Sequence, residues 1–412
     1  MTVRITADWI ADPQLQHLLA VLNADGETAR IVGGAVRNGL MDRAVSDIDV
    51  ATTAVPETVI ERVTQAGMKP VPTGIAHGTV TVVARGRPFE VTTLRRDVET
   101  DGRHARVVFG RDWQADAERR DFTINALYAE ADGTVIDLVG GLADVEARAV
   151  RFIGDAETRI REDYLRVLRF FRFFAWYGTG RPDAAGLRAA TRLKDGLAQL
   201  SVERVWAELR KLLGAPDPSR ALLWMRQTGV LTAVLPESER WGIDAIHGLT
   251  AAEGLHGWPA DPMLRLMAIV PPDAARMDEL ARRLKLSNGE RERLLAWATA
   301  EMPGLGESDL GLRSRLYFGE PQGLVDRLRL GFAAAAAKDP SDAEALGTVA
   351  ALRRQLTVAE RFEPPAFPLS GRDLIAAGAQ PGPELGNTLA RLERAWVDSG
   401  FVLSKERLLE KL

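Results

Sequence analysis

Two aspartates, Asp47 and Asp49, are separated by one residue in the alternating run from Ser46 to Ala51. Alternation of this kind predicts a β-strand, in which every second side chain points to the same face. Two carboxylates held close together repel each other unless a cation lies between them. Their oxygens favour magnesium, and a paired magnesium site stabilises the attacking and leaving oxygens of a phosphoryl displacement. The spacing therefore indicates a metal site, although an Asp-x-Asp alone is more often an ordinary solvent-facing pair.

A glycine pair and a glutamate add to this pattern. Gly33-Gly34 follows the apolar run 29–32 and precedes a helical pattern, so bare backbone N–H groups could approach phosphate oxygens there. Glu90 lies in a second strand pattern and could coordinate a metal and take the proton from an attacking 3′-hydroxyl. Taken singly, a glycine pair is more often a turn, and a glutamate on a strand is more often a solvated edge residue.

The elements that must position these residues change in type along the chain. Residues 25–150 mix short strand patterns with turn signals, and from about residue 155 the pattern is almost wholly helical. Gly78 to Ala84 and Pro88 to Thr93 predict a hairpin, and Pro56 to Ala66 predicts a helix with proline in its first turn. The fold class is therefore predicted to be α+β, with a mixed β-sheet and helices first and an all-α remainder.

Helical spacing continues after a polar stretch. Arg96 to Gln114 predicts a mobile loop that includes Asp101, Gly102 and Arg103. Single helices are expected over 115–129, 155–176 and 201–213, the last with Ser201 as its N-cap, and a capping box is expected at Ser287 and Glu290.

Composition restricts the possible chemistry. The 412 residues contain no cysteine, which excludes a disulfide framework, a zinc-thiolate site and a thiol nucleophile. No secretion signal is recognised, and no apolar stretch approaches the roughly 18 residues that a membrane helix needs, so we expect a cytoplasmic protein. The net charge is −4, but 85–120 and 148–172 are rich in arginine. Such segments favour either a phosphate-binding face or a salt-bridged surface.

Four motifs occur in an order that resembles the class II tRNA nucleotidyltransferases and the bacterial poly(A) polymerases, most strongly over residues 28–215. They are Ile31-Val-Gly-Gly-Ala-Val-Arg-Asn38, Ser46-Asp-Ile-Asp49, Arg119-Arg-Asp-Phe-Thr-Ile-Asn-Ala126 and Glu162-Asp-Tyr-Leu-Arg166. The resemblance implies that Asp47 and Asp49 bind two Mg²⁺ ions, with Glu90 as a third carboxylate beside the primer hydroxyl. The nucleotide-binding residues that it implies are Gly33, Gly34, Arg37, Arg120, Asp121, Asn125, Glu162, Asp163, Arg166 and Arg169.

Within that set, the resemblance implies a division of labour. Arg120 and Asp121 would read the ribose and help to exclude deoxynucleotides. Asp163 and Arg166, three residues apart on one predicted helix, would present acceptors and donors that imitate a base edge and so replace a template. The alternative for this segment is an intrahelical salt-bridge ladder. The chain departs from the family at Asn38, where an aspartate is usual, so a hydrogen bond could survive there while an ion pair could not.

The resemblance also implies an organisation and an activity. It predicts a nucleotidyltransferase head over 1–150, a helical neck for base recognition over 151–215, a helical body over 216–360 and a tRNA-binding tail over 361–412. The expected activity is template-independent addition of C, C and A to tRNA from CTP and ATP, with no protein partner inferred. The relatives that add only CC lack the loop that 96–109 resembles, which favours full CCA addition. The alternatives are an A-adding enzyme, a poly(A) polymerase and an inactive RNA-binding relative.

Overall fold

A computed structural model describes residues 2–101, 104–239, 244–338 and 341–412. The chain forms two compact units, Met1–Pro236 and Glu237–Leu412. The residues that carry the four motifs all lie in the first unit, which combines a mixed β-sheet with helices. The predicted α+β class is confirmed.

The strands of the described chain all lie in the first unit. They are β1 (Ala29–Val32), β2 (Asp49–Thr52), β3 (Lys69–Gly74), β4 (Thr79–Ala84), β5 (Arg87–Thr93), β6 (Arg95–Asp101), β7 (His104–Phe109), β8 (Leu127–Ala129) and β9 (Val135–Asp137). Seven of them form one sheet in the order β3-β4-β5-β2-β1-β8-β9, and β6 pairs with β7. Burial alternates along β4, as expected for a sheet with one face toward the core.

The centre of this sheet sets the register of the carboxylates. β2 pairs with β1 in antiparallel register and with β5 in parallel register. Asp49 is consequently aligned with Val32 on one side and with Glu90 on the other. Val32 immediately precedes Gly33, so the glycine pair and both carboxylates meet at the same end of the central strands.

Helices cover the sheet and continue the first unit. They are α1 (Pro13–Leu22), α2 (Gly34–Leu40), α3 (Pro56–Gln65), α4 (Trp113–Glu118), α5 (Gly141–Glu146), α6 (Ala156–Glu162), α7 (Leu165–Tyr177), α8 (Ala184–Leu193), α9 (Val202–Leu213), α10 (Ser219–Gln227) and α11 (Val230–Val234). The helices predicted at Pro56 and after Ser201 are confirmed.

The single helix predicted from Asp155 to Trp176 is wrong. α6 ends at Glu162, and Asp163 adopts an extended conformation (φ −156°, ψ 107°) before α7 begins at Leu165. The Asp163 carboxylate accepts a hydrogen bond from the Leu165 N–H at 3.1 Å. This local bond satisfies a backbone donor at the start of a helix, and it competes with continuation of α6.

Three further boundaries differ from the predictions. Asp47 lies before β2 rather than in it, because the strand begins at Asp49. Helical structure does not run from Ala115 to Ala129: α4 stops at Glu118, and the chain reaches β8 through a short 3-10 turn. The stretch predicted as a loop instead pairs β6 with β7, an antiparallel hairpin whose Gly102 and Arg103 lie outside the described residues.

Among the described residues of the second unit, the regular elements are all helices. Its helices are α12 (Asp244–His256), α13 (Pro262–Ala268), α14 (Ala274–Arg283), α15 (Asn288–Thr299), α16 (Asp309–Phe318), α17 (Pro321–Ala336), α18 (Ala343–Arg361), α19 (Gly371–Ala376), α20 (Pro383–Asp398) and α21 (Lys405–Leu409). The predicted capping box of Ser287 and Glu290 is present at the start of α15. Across the described ranges, no helix combines the length and apolar character needed to span a membrane.

Candidate active site

A polar cleft of about 520 Å³ opens at the end of the central strands. It is lined by Gly33, Gly34, Arg37, Asp49, Arg119, Arg120, Asp121, Asn125, Asp163, Leu165, Arg166, Arg169, Phe173 and Arg204. Six of these side chains are arginines and three are aspartates, so the cleft suits a ligand that carries several negative charges and hydrogen-bonding groups.

Gly33 forms the tight connection between β1 and α2. Its φ of 71° lies in the left-handed region, which favours glycine over residues with a Cβ. A Cβ there would point toward the Asn125 carbonyl at 3.6 Å and the Arg120 guanidinium at 3.8 Å. The glycine therefore keeps the backbone open to the cleft beside a positive charge.

Asp49 lies on the cleft floor with Glu90 beside it in the neighbouring strand. Although Asp49 is exposed on the cleft side, desolvation by the surrounding protein raises the pKa of its carboxyl group to about 6. The negative charges of Glu90 and Asp47 also raise the pKa, and Arg120 opposes them. Excess negative charge at this point is the chemistry that a bound cation would relieve.

The carboxylates do not form a closed cage. Within the described chain, no three histidine, cysteine, aspartate or glutamate side chains lie close enough together to hold a metal ion. Asp47 is exposed, and its carboxylate accepts from the Ser46 hydroxyl at 3.1 Å. Neither Asp47 nor Glu90 lines the cleft as described. The structure brings Asp49 to the cleft and leaves the other two predicted carboxylates outside its lining.

Arg37 projects from α2 and is only 6% exposed. It donates to Tyr177 Oη at 2.7 Å, to Asn38 Oδ1 at 2.9 Å and to Asn125 Oδ1, and its guanidinium also packs on the Tyr177 ring, 3.8 Å from the centroid. Desolvation lowers the pKa of Arg37 to about 10. Among the described residues no carboxylate lies within ion-pair distance of this guanidinium, so its hydrogen bonds go to neutral groups, and the Asp121 carboxylate acts on its charge only from farther away.

Asp121 is held from three sides. Arg169 Nε donates to it at 2.7 Å, Asn125 Nδ2 at 3.1 Å and the Phe122 N–H at 2.9 Å. Desolvation acts to raise the pKa of Asp121, but the Arg169 charge and these hydrogen bonds lower it below its ordinary value. Asp121 is therefore an ionised acceptor in a fixed orientation.

A carboxylate beneath the cleft, Asp116, is 1% exposed and holds both neighbouring arginines. Arg119 donates to it at 2.6 Å, Arg120 at 3.0 Å and the Tyr128 hydroxyl at 2.8 Å. Desolvation opposes ionisation, yet Arg120 and Arg119 together lower the pKa of Asp116. One buried charge thus orients two cleft arginines.

The break between α6 and α7 forms the opposite side of the cleft. Arg204 on α9 donates to Asp163 Oδ2 at 2.7 Å, and Arg166 donates to Glu162 and to the Arg159 carbonyl oxygen, the latter at 2.8 Å. Asp163 and Arg166 both line the cleft. Glu162 does not line it as described, and its carboxylate instead supports Arg166 from behind.

The predicted site residues therefore fall into two groups. Those that line the cleft are Gly33, Gly34, Arg37, Asp49, Arg120, Asp121, Asn125, Asp163, Arg166 and Arg169. Those that lie outside its lining are Asp47, Glu90 and Glu162. Of the predicted loop residues, Asp101 ends β6, and Gly102 and Arg103 lie outside the described residues.

The sequence did not identify three residues that hold the side chains of the cleft in place. Asp116 lies three and four residues before Arg119 and Arg120, a helical spacing that could have identified it. Arg159 lies three residues before Glu162 and could have been found in the same way. Arg204 is 41 residues from Asp163, and no local pattern predicts that contact.

Comparison with known proteins identifies the families to which this chain is similar. Residues 29–151 match the family described as the poly A polymerase head domain, and residues 183–241 match the one described as a probable RNA and SrmB-binding site of polymerase A. The mitochondrial CCA tRNA nucleotidyltransferase 1 of Mus musculus is 34% identical over 410 residues, which cover 96% of this chain and 88% of the mouse protein.

Two bacterial CCA-adding enzymes are also similar to this chain over nearly its whole length. The CCA-adding enzyme of Levilactobacillus brevis is 32% identical over 395 residues, covering 92% of this chain and 94% of that enzyme. The crystal structure of the Bacillus stearothermophilus CCA-adding enzyme in complex with CTP superposes with a TM-score of 0.73 and 28% identity, covering 96% of this chain and 95% of that one. The cleft, the ordered motifs and similarity along nearly the whole chain agree, and the chain belongs to the CCA-adding tRNA nucleotidyltransferase family.

Proposed function

We propose that this nucleotidyltransferase adds C, C and A to the 3′ end of tRNA, taking the nucleotides from CTP and ATP without a nucleic acid template. The observation that carries the proposal is the cleft itself. Asp49 lies at one end, Arg37 and Arg120 provide positive charge, and Asp163 and Arg166 provide hydrogen-bonding groups at the other side. A nucleoside triphosphate has parts that match these groups: the α-phosphate that reacts, the β- and γ-phosphates beyond it, and a base on the other side of the ribose.

The carboxylates fit a pair of divalent cations, which we propose to be Mg²⁺. Asp47 and Asp49 would hold the ions. The raised pKa of Asp49 supports this, because it reflects desolvation of the carboxyl group and, after that, the negative charges of Glu90 and Asp47, all of which a cation would relieve. When bound, the ions would polarise the reacting phosphate and stabilise the pyrophosphate that leaves. Glu90 would accept the proton of the tRNA 3′-hydroxyl, and its alignment with Asp49 in the parallel strand pair supports this role.

The sugar and phosphates would be held by the head. Gly33 and Gly34 leave the backbone open to phosphate oxygens, and Arg37 offers a buried charge without a carboxylate partner within the described chain. Arg120 supplies a second positive charge in the same cleft. Asp121 is fixed as an ionised acceptor by Arg169 and Asn125, which suits a ribose hydroxyl donor.

Base selection would fall to Asp163 and Arg166. Asp163 accepts and Arg166 donates, so together they can pair with the complementary edge of C or A. A base whose donors and acceptors do not match would leave a desolvated group unpaired, at a cost of about 1–3 kcal/mol. An intrahelical salt-bridge ladder is not formed, because Asp163 pairs with Arg204 and Arg169 with Asp121. Glu162 does bind Arg159 and Arg166, and we propose that these ion pairs support the reading residues.

The hairpin of β6 and β7 supports addition of the complete CCA sequence. It leaves the head directly after β5, which carries Glu90, and returns at α4, which carries Asp116. Both of its ends are thereby joined to head elements close to the cleft. The alternatives with partial activity or with poly(A) synthesis share the same carboxylates, and only the products of the reaction separate them.

The remaining assignments are also proposals. We propose that 1–150 form the head, 151–215 the neck, 216–360 the body and 361–412 the tail, with tRNA contacts extending into the tail. A cytoplasmic location stays a prediction, and the mouse relative carries a mitochondrial name.

The decisive experiment supplies Mg²⁺, CTP and ATP with three tRNAs that end before the CCA, after C and after CC, and sequences the 3′ ends. Completion to CCA on all three, lost in Asp47→Ala, is the expected result. Addition of A to the CC-ending tRNA alone would show an A-adding enzyme. Long A tails on unrelated RNA would show a poly(A) polymerase, and no product with intact nucleotide binding would show an inactive relative.

A further inference from the structure

Arg159, on α6, lies behind the cleft and not in its lining, and its side chain is only 11% exposed. Its guanidinium makes hydrogen bonds in two directions. Nη2 donates to the backbone carbonyl oxygens of both Arg119 and Arg120, and Nη1 donates to Glu162 at 2.6 Å. The two ends of this side chain thus contact the head segment that precedes Asp121 and the segment that leads to the α6–α7 break.

On the second side the contacts form a closed ring. Glu162 accepts from both Arg159 and Arg166, and Arg166 in turn donates to the Arg159 carbonyl oxygen at 2.8 Å. The ring fixes where the Arg166 guanidinium stands. Arg166 is one of the two residues to which we assign base recognition, and its position therefore depends directly on Arg159.

On the first side the same main-chain segment is held twice. Arg159 binds the carbonyl oxygens of Arg119 and Arg120, while Asp116 binds their side chains. Asp121 follows immediately in the chain. A displacement of Arg159 would therefore move the backbone from which Arg120 and Asp121 enter the cleft.

The position of Arg159 disfavours the charged form of its guanidinium. Desolvation is the main cause that lowers the pKa of Arg159, and the neighbouring positive charge of Arg166 lowers it further. A planar guanidinium can donate toward two separate sets of acceptors at once, whereas a lysine ammonium is a point charge on a flexible stem. The combination of contacts to the two carbonyl oxygens through Nη2 and to Glu162 through Nη1 consequently favours arginine over lysine.

We propose that Arg159 is a positioning residue that couples base recognition at Asp163 and Arg166 to the ribose- and phosphate-binding residues Arg120 and Asp121. The inference rests on the proposed function, because it assumes that both sets of residues hold one nucleotide. Its consequence is that loss of Arg159 loosens the choice between bases and does not merely weaken binding of every nucleotide equally.

The test uses the full chain with Arg159→Met and Arg159→Lys. Arg161→Met is the matched control, because Arg161 lies on the same helix, pairs with Glu157 at 2.8 Å and is 54% exposed. The ratio of kcat/KM for CTP to that for UTP is measured for the first addition to a tRNA lacking CCA, with the melting temperature of each variant.

In Arg159→Met the ratio is expected to fall by about ten- to a hundredfold, the scale of a small misplacement of reacting groups. Arg159→Lys is expected to fall between wild type and Arg159→Met, and Arg161→Met to match wild type.

Two results would overturn the inference: an unchanged CTP-to-UTP ratio in Arg159→Met, or an equal loss in Arg161→Met. If Arg159→Met does not fold, Arg159→Lys decides, and a wild-type ratio in that variant also overturns it. Equilibrium dialysis with CTP and UTP separates this question from the proposed function. A wild-type chain that prefers CTP in dialysis but transfers no nucleotide contradicts the proposed function, and the loss or retention of that preference in the Arg159 variants still decides the coupling.

Discussion

Asp49 and Glu90 are directly aligned in the parallel pair formed by β2 and β5. The two carboxylates come from strands that are 41 residues apart in the chain and belong to different predicted patterns, yet the register places them side by side. Like charges at such a position are unfavourable in the protein alone and become favourable with a cation. The pair therefore indicates a site organised for a reaction and not for the stability of the sheet.

Removing the charge of Asp49 is expected to separate activity from stability. Asp49→Asn keeps the size of the side chain and is expected to lower the rate of CMP transfer by about a hundredfold or more, the scale of losing one electrostatic contact in a transition state. Because the substitution also removes a like-charge interaction, the melting temperature should not fall. CMP transfer and thermal unfolding are measured together, with Asp42→Asn as an exposed control nearby. A large loss of melting temperature in Asp49→Asn would instead mean that the carboxylate is structural.

The carboxylate of Asp116 is expected to show the opposite behaviour. Asp116→Asn leaves Arg119, Arg120 and the Tyr128 hydroxyl without their shared charged acceptor, and breaking a buried pair costs about 3–5 kcal/mol. Both the free energy of unfolding and the affinity for CTP should therefore fall. Denaturant unfolding and KM for CTP are the measurements, and Glu118→Gln, exposed on the same helix, is the control. Normal stability with a normal KM would show that the two arginines do not depend on Asp116.

The carboxyl group of Asp116 is also expected to make the stability of the fold depend on pH in acid. The pKa of Asp116 is lowered in the folded protein from an ordinary value of 3.8. Its stabilising contribution is therefore present above that ordinary value and is lost as the pH falls through the lower folded value. Melting temperatures measured from pH 7 to pH 3 should fall more steeply below about pH 4 in the wild type than in Asp116→Asn. Parallel curves for the two proteins would contradict the assignment.

Much of the head could be predicted because its signals are local. Alternation identified β4 and β5, the glycine pair marked the β1–α2 junction, and the ordered motifs pointed to ten residues that line the cleft. The fold class and the family were predicted on the same grounds and are confirmed.

The errors arose where a polar side chain or a distant partner decides the local structure. Helical spacing continues through Asp163, but this carboxylate bonds the Leu165 N–H and Arg204, and the helix breaks there. The stretch 115–129 also has helical spacing, but its end pairs with β1 and β9 in the sheet. Tertiary pairing of this kind outweighs helix propensity, which is at most about 1 kcal/mol for each residue other than proline.

The hairpin of β6 and β7 is expected to determine whether the final A is added. Replacing residues 97–108 with two glycines leaves β5 and α4 connected but removes most of the hairpin between them. We expect addition to stop after CC, because the relatives that add only CC lack the loop that this hairpin resembles. Sequencing of tRNA 3′ ends measures this, with the CC addition in the same reaction as the internal control. Complete CCA addition by the shortened protein would show that the hairpin is dispensable.

The neutral side chain of Asn38 is expected to leave the positive charge of Arg37 available to the triphosphate. In this chain Arg37 is held by the neutral oxygens of Asn38, Asn125 and Tyr177, so its positive charge stays available to phosphate. Asn38→Asp places a negative charge against the guanidinium and should raise the KM for CTP by about three- to tenfold, equivalent to roughly 0.7–1.4 kcal/mol. The ion pair gained is offset by loss of the Asn38 hydrogen bond to the Ala44 carbonyl at 3.0 Å, so the melting temperature should change by less than about 3 °C.

Asn387→Asp, an exposed substitution of the same kind on α20, controls for the added charge on the whole chain. A higher KM in Asn38→Asp alone would show that the neutral oxygens around Arg37 strengthen triphosphate binding. An unchanged KM would mean that Arg37 acts on the fold of α2 and Tyr177 and not on the phosphates. The two outcomes also separate binding from catalysis, because we propose that kcat depends on the carboxylates at Asp49 and Glu90, which this substitution leaves in place.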